Sequence, residues 1–315
     1  MEIVPGADGV PPGPSAVTVG FFDGVHLGHR AVIGRTVEVA RERGVRAAAV
    51  TFDRHPREVL TPGNVPRLLT TTDRKARLIE ALGVDLLLVL PFTEELSRWP
   101  AQAFVERVLV GALGAVHVVV GADFRFGYRA AGDLGTLREA GGVHGFTAEG
   151  VGLVELDGRP VSSSSIREAL AAGDLSWPTR ALGRRFALDG TVVRGAGRGR
   201  GLGFPTANLA TDPRLLLPAP GIYAGVAEAE GERWVAAISV GTNPTFGGEP
   251  LHVEAYLLDY AGPDLRGRPL AVEFWARLRD EARFPSADAL AEAMAEDVRR
   301  TRELVPAPDA ARAER

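Results

Sequence analysis

Short apolar segments alternate with helically spaced ones through the first half of this 315-residue chain. Residues 16–19, 47–52, 85–90 and 116–120 are brief and largely apolar, as inner strands are. Between them, Val32, Ile33, Val37 and Ala40 follow Arg30 near helical spacing, and 73–82 and 101–113 repeat that pattern. Alternating β and α predicts an α/β fold with a doubly wound parallel sheet, which places ligands beyond the carboxyl ends of its strands.

The pattern changes within 173–183, where Trp177-Pro178 interrupts the last helical run. Beyond it, 186–193, 222–227, 234–240, 251–258 and 270–278 read as strands separated by turn residues, with few helices between. An antiparallel sheet or small β-barrel is expected. Ser286 can cap a terminal helix whose packing stripe is Leu290, Ala293, Met294 and Val298. The expected domains are therefore 1–180 and 181–305, and the Pro-, Ala- and charge-rich segment after Leu304 is expected to fray, with 306–315 a disordered tail.

Composition narrows the chemistry. A net charge of −4 supplies no basic field for nucleic acid, and no apolar run approaches membrane-spanning length. Neither a nucleic-acid nor a membrane partner is expected, a cytoplasmic location is, and a homo-oligomer is left open. With no cysteine there is no disulfide, thiol nucleophile or Cys-based metal site. Lys75 is the only lysine, so phosphate chemistry has to use Arg, His, backbone N–H groups or a metal, and the P-loop motif is absent.

Against that background, Val19-Gly20-Phe21-Phe22-Asp23-Gly24-Val25-His26-Leu27-Gly28-His29 joins the first strand to the first helix. A helix N-terminus favours an anion, and Gly28 carries no Cβ to hold a phosphate away. His26 and His29, three apart, share a face and can both donate to phosphate oxygens. Zinc would need a third ligand that is not nearby, and the glycines do not follow the G-x-G-x-x-G of dinucleotide folds. Two further loops follow strands. Asp53 and His55 in Thr51-Phe52-Asp53-Arg54-His55-Pro56 serve equally as turn formers or functional groups. Asp123 and Phe126 lie in Val120-Gly121-Ala122-Asp123-Phe124-Arg125-Phe126-Gly127, whose aromatics suit either a core or a planar ligand. Ser163, Ser164 and Arg167 gather at the start of another helix, as N-caps or as a triphosphate cradle.

In the second half, Gly195, Gly197, Gly199, Gly201 and Gly203 alternate along a loop that ends in Phe204-Pro205-Thr206-Ala207-Asn208. Such a loop is a flexible hairpin or a phosphate nest. Thr206 and Asn208, two apart on extended chain, face one side and can together hold a Mg2+ whose other ligands are phosphate oxygens.

These motifs resemble, in order, those of the bacterial bifunctional riboflavin kinase/FAD synthetase family, whose first half is an H-x-G-H nucleotidyltransferase. The resemblance rests on G-x-F-D-G-V-H-x-G-H, T-F-x-x-H-P, V-G-x-D-F-x-F-G, the serine and arginine motif, the Gly-rich P-T-A-N loop, Ser239–Phe246 and Val253–Asp259. It implies a kinase that makes FMN from riboflavin and ATP, and an adenylyltransferase that makes FAD from FMN and ATP. His26, His29, Arg167 and Glu254 would then be catalytic, Glu254 as the base for the ribityl hydroxyl. It further implies that Gly20, Phe22, Asp23, Gly28, Asp53, His55, Asp123, Phe126, Ser163 and Ser164 bind ATP or flavin in the first domain. Gly197, Gly199, Gly201, Gly203, Pro205 and Asn243 would do so in the second. Three residues depart from the family pattern: Arg54 replaces a common Pro, Ser164 a Thr, and Arg266 a frequent Tyr. Another H-x-G-H nucleotidyltransferase fused to a barrel, or a non-catalytic flavin sensor, are the alternatives.

Overall fold

The computed structural model describes residues 1–195, 201–242 and 251–307, and these divide into two units, one spanning Met1–Ser163 and the other beginning at Ser164. In the first, six strands form one all-parallel sheet: β1 (Glu2–Pro5), β2 (Ser15–Val19), β3 (Arg46–Phe52), β4 (Leu86–Leu90), β5 (Ala115–Gly121) and β6 (Thr147–Val151), in the order β1-β4-β3-β2-β5-β6. Helices connect them: α1 (Leu27–Arg43), α2 (Pro56–Leu60), α3 (Thr72–Glu80), the short α4 (Glu94–Ser97) and α5 (Ala101–Phe104), and α6 (Leu134–His144).

Side chains alternate across the sheet because the strand period is two. Ala16, Ala47, Ala49 and Leu87 meet Ile33 and Val37 of α1 and Ile79 of α3 on one face. Val17, Ala48, Val50 and Val118 meet Phe104, Val108 and Leu137 on the other. The sheet is therefore covered on both faces, as a doubly wound parallel sheet must be. Strand order reverses between β2 and β5, which places a switch point at the carboxyl end of β2, where the histidine motif begins.

Three local features differ from expectation. Two strands of this sheet escaped the pattern, β1 and β6, both at its edges; β1 buries only Val4 and β6 buries no residue fully, so neither reads as an apolar run. The helix expected over 101–113 is α5 followed by a π-helical segment, Val105–Ala112. Finally, a hairpin, β7 (Glu155–Leu156) and β8 (Arg159–Pro160), precedes α7 (Ser163–Ala171).

The second unit opens with the rest of α7 and with α8 (Ser176–Leu182). The interruption expected at Trp177-Pro178 falls instead at Gly173–Leu175, and Pro178 sits in the first turn of α8, where a missing N–H costs nothing. Six antiparallel strands then close a barrel: β9 (Phe186–Val193), β10 (Ala207–Thr211), β11 (Gly221–Ala229), β12 (Glu232–Gly241), β13 (His252–Leu257) and β14 (Pro269–Arg279), ordered β10-β13-β12-β11-β14-β9. Val253, Ala255 and Leu257 are buried on β13, while His252, Glu254 and Tyr256 take its other face.

A terminal helix, α9 (Ala287–Leu304), packs on β11, β12 and β14 and is capped by Ser286, whose hydroxyl accepts from the Ala289 N–H. Its buried members are Asp297 and Thr301, not the apolar stripe. Chain packing continues past Leu304, since Val305 is buried against Ala224, Val226 and Leu278, so fraying does not begin where the sequence suggested. Residues 308–315, most of the expected tail, lie outside the described residues.

Candidate functional site

At the carboxyl end of β2 the chain turns sharply into α1, with Phe22 and Val25 both at positive φ and both buried. Backbone in that region is unfavourable for side-chain-bearing residues and persists only when its surroundings hold it. Asp23 does the holding. It is 3% exposed, and its carboxylate accepts from the Leu69 N–H at 2.9 Å and the Thr70 N–H at 3.2 Å, while the Gly24 N–H donates to Thr70 Oγ1. The loop also needs Gly20, where a Cβ would stand 2.6 Å from the Phe22 ring.

His26 is the N-cap of α1, its Nδ1 accepting from the His29 N–H, and the two imidazoles stack with centroids 3.6 Å apart. Gly28 lies against the His26 ring, with an added Cβ at 3.1 Å. Loss of solvent around His29, then the nearby His26 and Lys75, hold its pKa well below the usual imidazole value. His29 is therefore neutral near pH 7, and its Nδ1 is buried without a hydrogen-bond partner among the described residues. An orphaned polar nitrogen beside a helix N-terminus is suited to an anionic oxygen.

The other predicted residues of this unit take mixed roles. His55 caps α2, with its Nδ1 accepting from the Arg57 N–H and Glu58 returning the bond to its backbone, a complete capping box. Burial pushes the Asp53 carboxyl up, but bonds from Arg54 and from the Phe92 N–H outweigh this and leave it below the usual range. Arg54, where the family has Pro, is thus a partner of its neighbour. Phe126 packs against Phe104 and stacks on Phe124, whereas Asp123 is exposed. Ser163 Oγ donates to the Asp23 carbonyl at 2.9 Å and so joins the histidine loop. Ser164 and Arg167 lie on α7 within the second unit, Ser164 exposed and Arg167 partly so.

In the barrel unit, Thr206 Oγ1 donates to Glu254 Oε2 at 2.8 Å, and His252 Nε2 stands 3.3 Å from Glu254 Oε1. Two cavities meet here. The larger, about 790 Å³, is lined by Arg194, Gly195, Gly203, Pro205, Thr206, Asn208, Asp259 and Arg266 among others. The smaller, about 280 Å³, runs between the barrel and α9, with Phe204, Ile222, Glu254, Leu290, Met294 and Val298 in its wall. Thr206 and Tyr256 line both. The apolar stripe of α9 thus faces a cavity, which is why it is only partly buried. Gly201 faces open space, and Gly203 takes a φ of 86° at the turn before Phe204. Gly197, Gly199 and Asn243 lie outside the described residues.

Thr206 and Asn208 both present neutral oxygen donors to the larger cavity, and Gly195 packs so closely on the Asn208 amide that a Cβ there would occupy its place. Among the described residues no cluster of three His, Asp or Glu could cage a metal. This donor set fits a hard cation held largely by phosphate oxygens and water. The residues that sequence reasoning did not place were Lys75, under the histidine loop, and the Arg279–Asp297 pair beside the smaller cavity. A unique lysine on an amphipathic helix was the available signal for the first.

Comparison with known proteins identifies both halves of the chain. Residues 11–165 match the family model for FAD synthetase and residues 182–305 that for riboflavin kinase. The chain is 43% identical over 296 residues to the bifunctional riboflavin kinase/FMN adenylyltransferase of Pseudomonas fluorescens, covering 94% of each. It is 35% identical over 308 residues to that of Escherichia coli K12, covering 96% of this chain and 98% of the relative. A crystal structure named as a macrolide-efflux protein from Streptococcus pneumoniae aligns with a TM-score of 0.87 at 29% identity, covering 97% of this chain and 100% of that one. Among the described residues no helix is long and apolar enough to cross a membrane. With both halves matched in order and both relatives aligned nearly end to end, this chain belongs to the family of bifunctional riboflavin kinases/FMN adenylyltransferases.

Proposed function

We propose that the two reactions of this family take place at the two sites described: phosphorylation of riboflavin to FMN by ATP in the barrel, and adenylylation of FMN to FAD, with release of pyrophosphate, at the histidine loop. The observation that carries the first assignment is the Thr206–Glu254 hydrogen bond at the junction of two cavities. The polar, Gly-rich cavity suits nucleotide phosphates, and the apolar slot under α9 suits a flavin ring system.

Glu254 lines the smaller cavity beside Thr206, which lines both, and one of its carboxylate oxygens accepts the proton of the terminal ribityl hydroxyl as the hydroxyl oxygen attacks the γ-phosphorus and ADP leaves. A positioned base of this kind contributes about 10²- to 10⁴-fold. Thr206 Oγ1 orients the carboxylate by its bond to Oε2 and, with Asn208 Oδ1, would hold Mg2+, which neutralises phosphate charge when bound. His252, beside Oε1, fixes the other side of the carboxylate.

At the histidine loop, an FMN phosphate oxygen attacks the α-phosphorus of a second ATP and pyrophosphate leaves. His26 and the neutral His29 donate to oxygens on which charge grows, and the α1 N-terminus adds its dipole. By the family resemblance, Arg167 and the Ser163 and Ser164 hydroxyls are assigned to nucleotide phosphates. Domain limits of 1–180 and 181–305 accompany this reading.

The test is a time course with purified protein, riboflavin, ATP and Mg2+, separating riboflavin, FMN and FAD by chromatography. FMN should accumulate and then give way to FAD. His29→Ala should stop at FMN, and Glu254→Gln should make no FMN yet still convert supplied FMN to FAD. Absence of both products with the unaltered chain would overturn the assignment.

A further inference from the structure

Lys75 is 2% exposed in the first turn of α3 and is the only lysine in the chain. Its Nζ donates to the Phe21 carbonyl and to Thr51 Oγ1, each at 3.0 Å, and reaches the Phe52 carbonyl at 3.5 Å. It also lies 4.3 Å from the Phe21 ring centroid. Thr51 Oγ1 in turn donates to the same Phe21 carbonyl at 3.1 Å. The acceptors therefore belong to two segments: Phe21 to the histidine loop after β2, and Thr51 and Phe52 to the end of strand β3.

None of these acceptors is charged. The groups that act on Lys75 through space are Asp23 and Asp53, which favour its charge, and His29, which it opposes. Both carboxylates are already bonded elsewhere, Asp23 to the Leu69 and Thr70 N–H groups and Asp53 to Arg54 and the Phe92 N–H. Burying an ammonium without a carboxylate in contact is costly, and neutral acceptors offset only part of that cost. These neutral contacts tie the segments together but do not by themselves call for a charged group. The neighbouring loop, which is assigned to a polyphosphate, does.

We propose that Lys75 is a positioning residue for adenylyl transfer, tying the histidine loop to the carboxyl end of β3 and setting a positive charge beneath the nucleotide triphosphate. This rests on the adenylyltransferase reading given above. The charge acts in two ways. It attracts the polyanion from a low-dielectric position where screening is weak, and it opposes protonation of His29, keeping that ring a neutral donor. Burial brings the Lys75 pKa down to about 8, Asp23 and Asp53 pulling the other way, so the charge is present at pH 7 and lost as pH rises through that value.

The experiment compares the full chain with Lys75→Met and Lys75→Arg, measuring kcat and KM for ATP in FMN adenylylation between pH 6.5 and 9.5. The riboflavin kinase reaction of each preparation serves as an internal control. Met fills the lysine stem without the charge; Lys75→Gln is the second neutral variant should Met disturb the fold by circular dichroism. The expected result is a rise of about tenfold or more in KM for ATP in both neutral variants, with recovery to within about threefold of wild type in Lys75→Arg. Adenylylation by the wild type should fall above about pH 8, and Lys75→Arg should carry that fall to higher pH because guanidinium stays charged. Neutral variants with the wild-type KM and pH profile would overturn the proposal. So would an arginine variant as impaired as the methionine one with an unmoved alkaline limb. If the wild type makes no FAD from FMN, the adenylyltransferase reading itself fails; if it does and the neutral variants match it, only the role of Lys75 fails.

Discussion

Asn208 and Glu254 stand directly opposite each other across the antiparallel β10–β13 pair, in register with one another. Two residues before Asn208, Thr206 bonds the Glu254 carboxylate at 2.8 Å. Asn208 and the proposed base are thereby fixed to a single pair of strands, with Thr206 immediately before β10, and the separation of Asn208 and Glu254 is set by ladder geometry. Sites built on strands hold their groups more firmly than sites built on loops.

From this arrangement, Thr206→Val and Thr206→Ser should behave differently. Valine keeps the shape but removes the hydroxyl that both orients Glu254 and faces the larger cavity, and FMN formation should drop by about 10²-fold or more. Serine keeps the hydroxyl and should retain most of the activity. Conversion of supplied FMN to FAD should be unchanged in both. Equal kinase rates for the valine variant and wild type would remove Thr206 from the mechanism.

Asp23 gives a second expectation, one of stability. Its substitution by Ala leaves two buried backbone N–H groups, of Leu69 and Thr70, without acceptors. Each such loss costs about 1–3 kcal/mol. The first unit should melt several degrees earlier and FAD formation should fall with the histidine loop, while FMN formation persists. Unchanged melting and unchanged FAD formation would show that the carboxylate is not what holds the loop.

Asp297 tests how α9 is held. Its carboxylate takes two bonds from Arg279, at 2.9 and 2.6 Å, and is 5% exposed. Asp297→Ala strands a guanidinium that keeps some contact with solvent, so a loss of about 2 kcal/mol is expected, less than for a fully buried pair. Because α9 supplies one wall of the smaller cavity, KM for riboflavin should rise as well, with KM for ATP in the kinase reaction little altered. Denaturant unfolding and steady-state kinetics read the two effects separately. A riboflavin KM equal to wild type would mean that α9 does not form that wall during turnover.

Legibility in the sequence followed burial and chemistry. The inner strands β2, β3, β4 and β5 stand out because burial on both faces demands continuous apolar residues. The edge strands β1 and β6 carry no such demand, and nothing in Glu2–Pro5 or Thr147–Val151 distinguishes them from loop. In α9 the stripe of Leu290, Met294 and Val298 was visible, but not that it faces a cavity, since helical spacing is the same for core and for binding surface. The histidine and P-T-A-N motifs were legible because few other roles need those residue types at that spacing. The anchors behind them were not. Asp23 reads as a loop carboxylate until Leu69 and Thr70, 46 and 47 residues away, are seen to bond it.

The paired positive φ values at Phe22 and Val25 carry one more consequence. A conformation of this kind costs about 1–3 kcal/mol per residue, and here buried rings and the Asp23 bonds maintain it. The loop is therefore shaped before nucleotide arrives. Its ordering entropy is lost once, when the chain folds, and not again at each encounter with substrate. On the proposed assignment, affinity at the histidine loop thus draws on the folding stability of the α/β unit, and a change far from any phosphate would weaken nucleotide binding by loosening Phe22 or Val25.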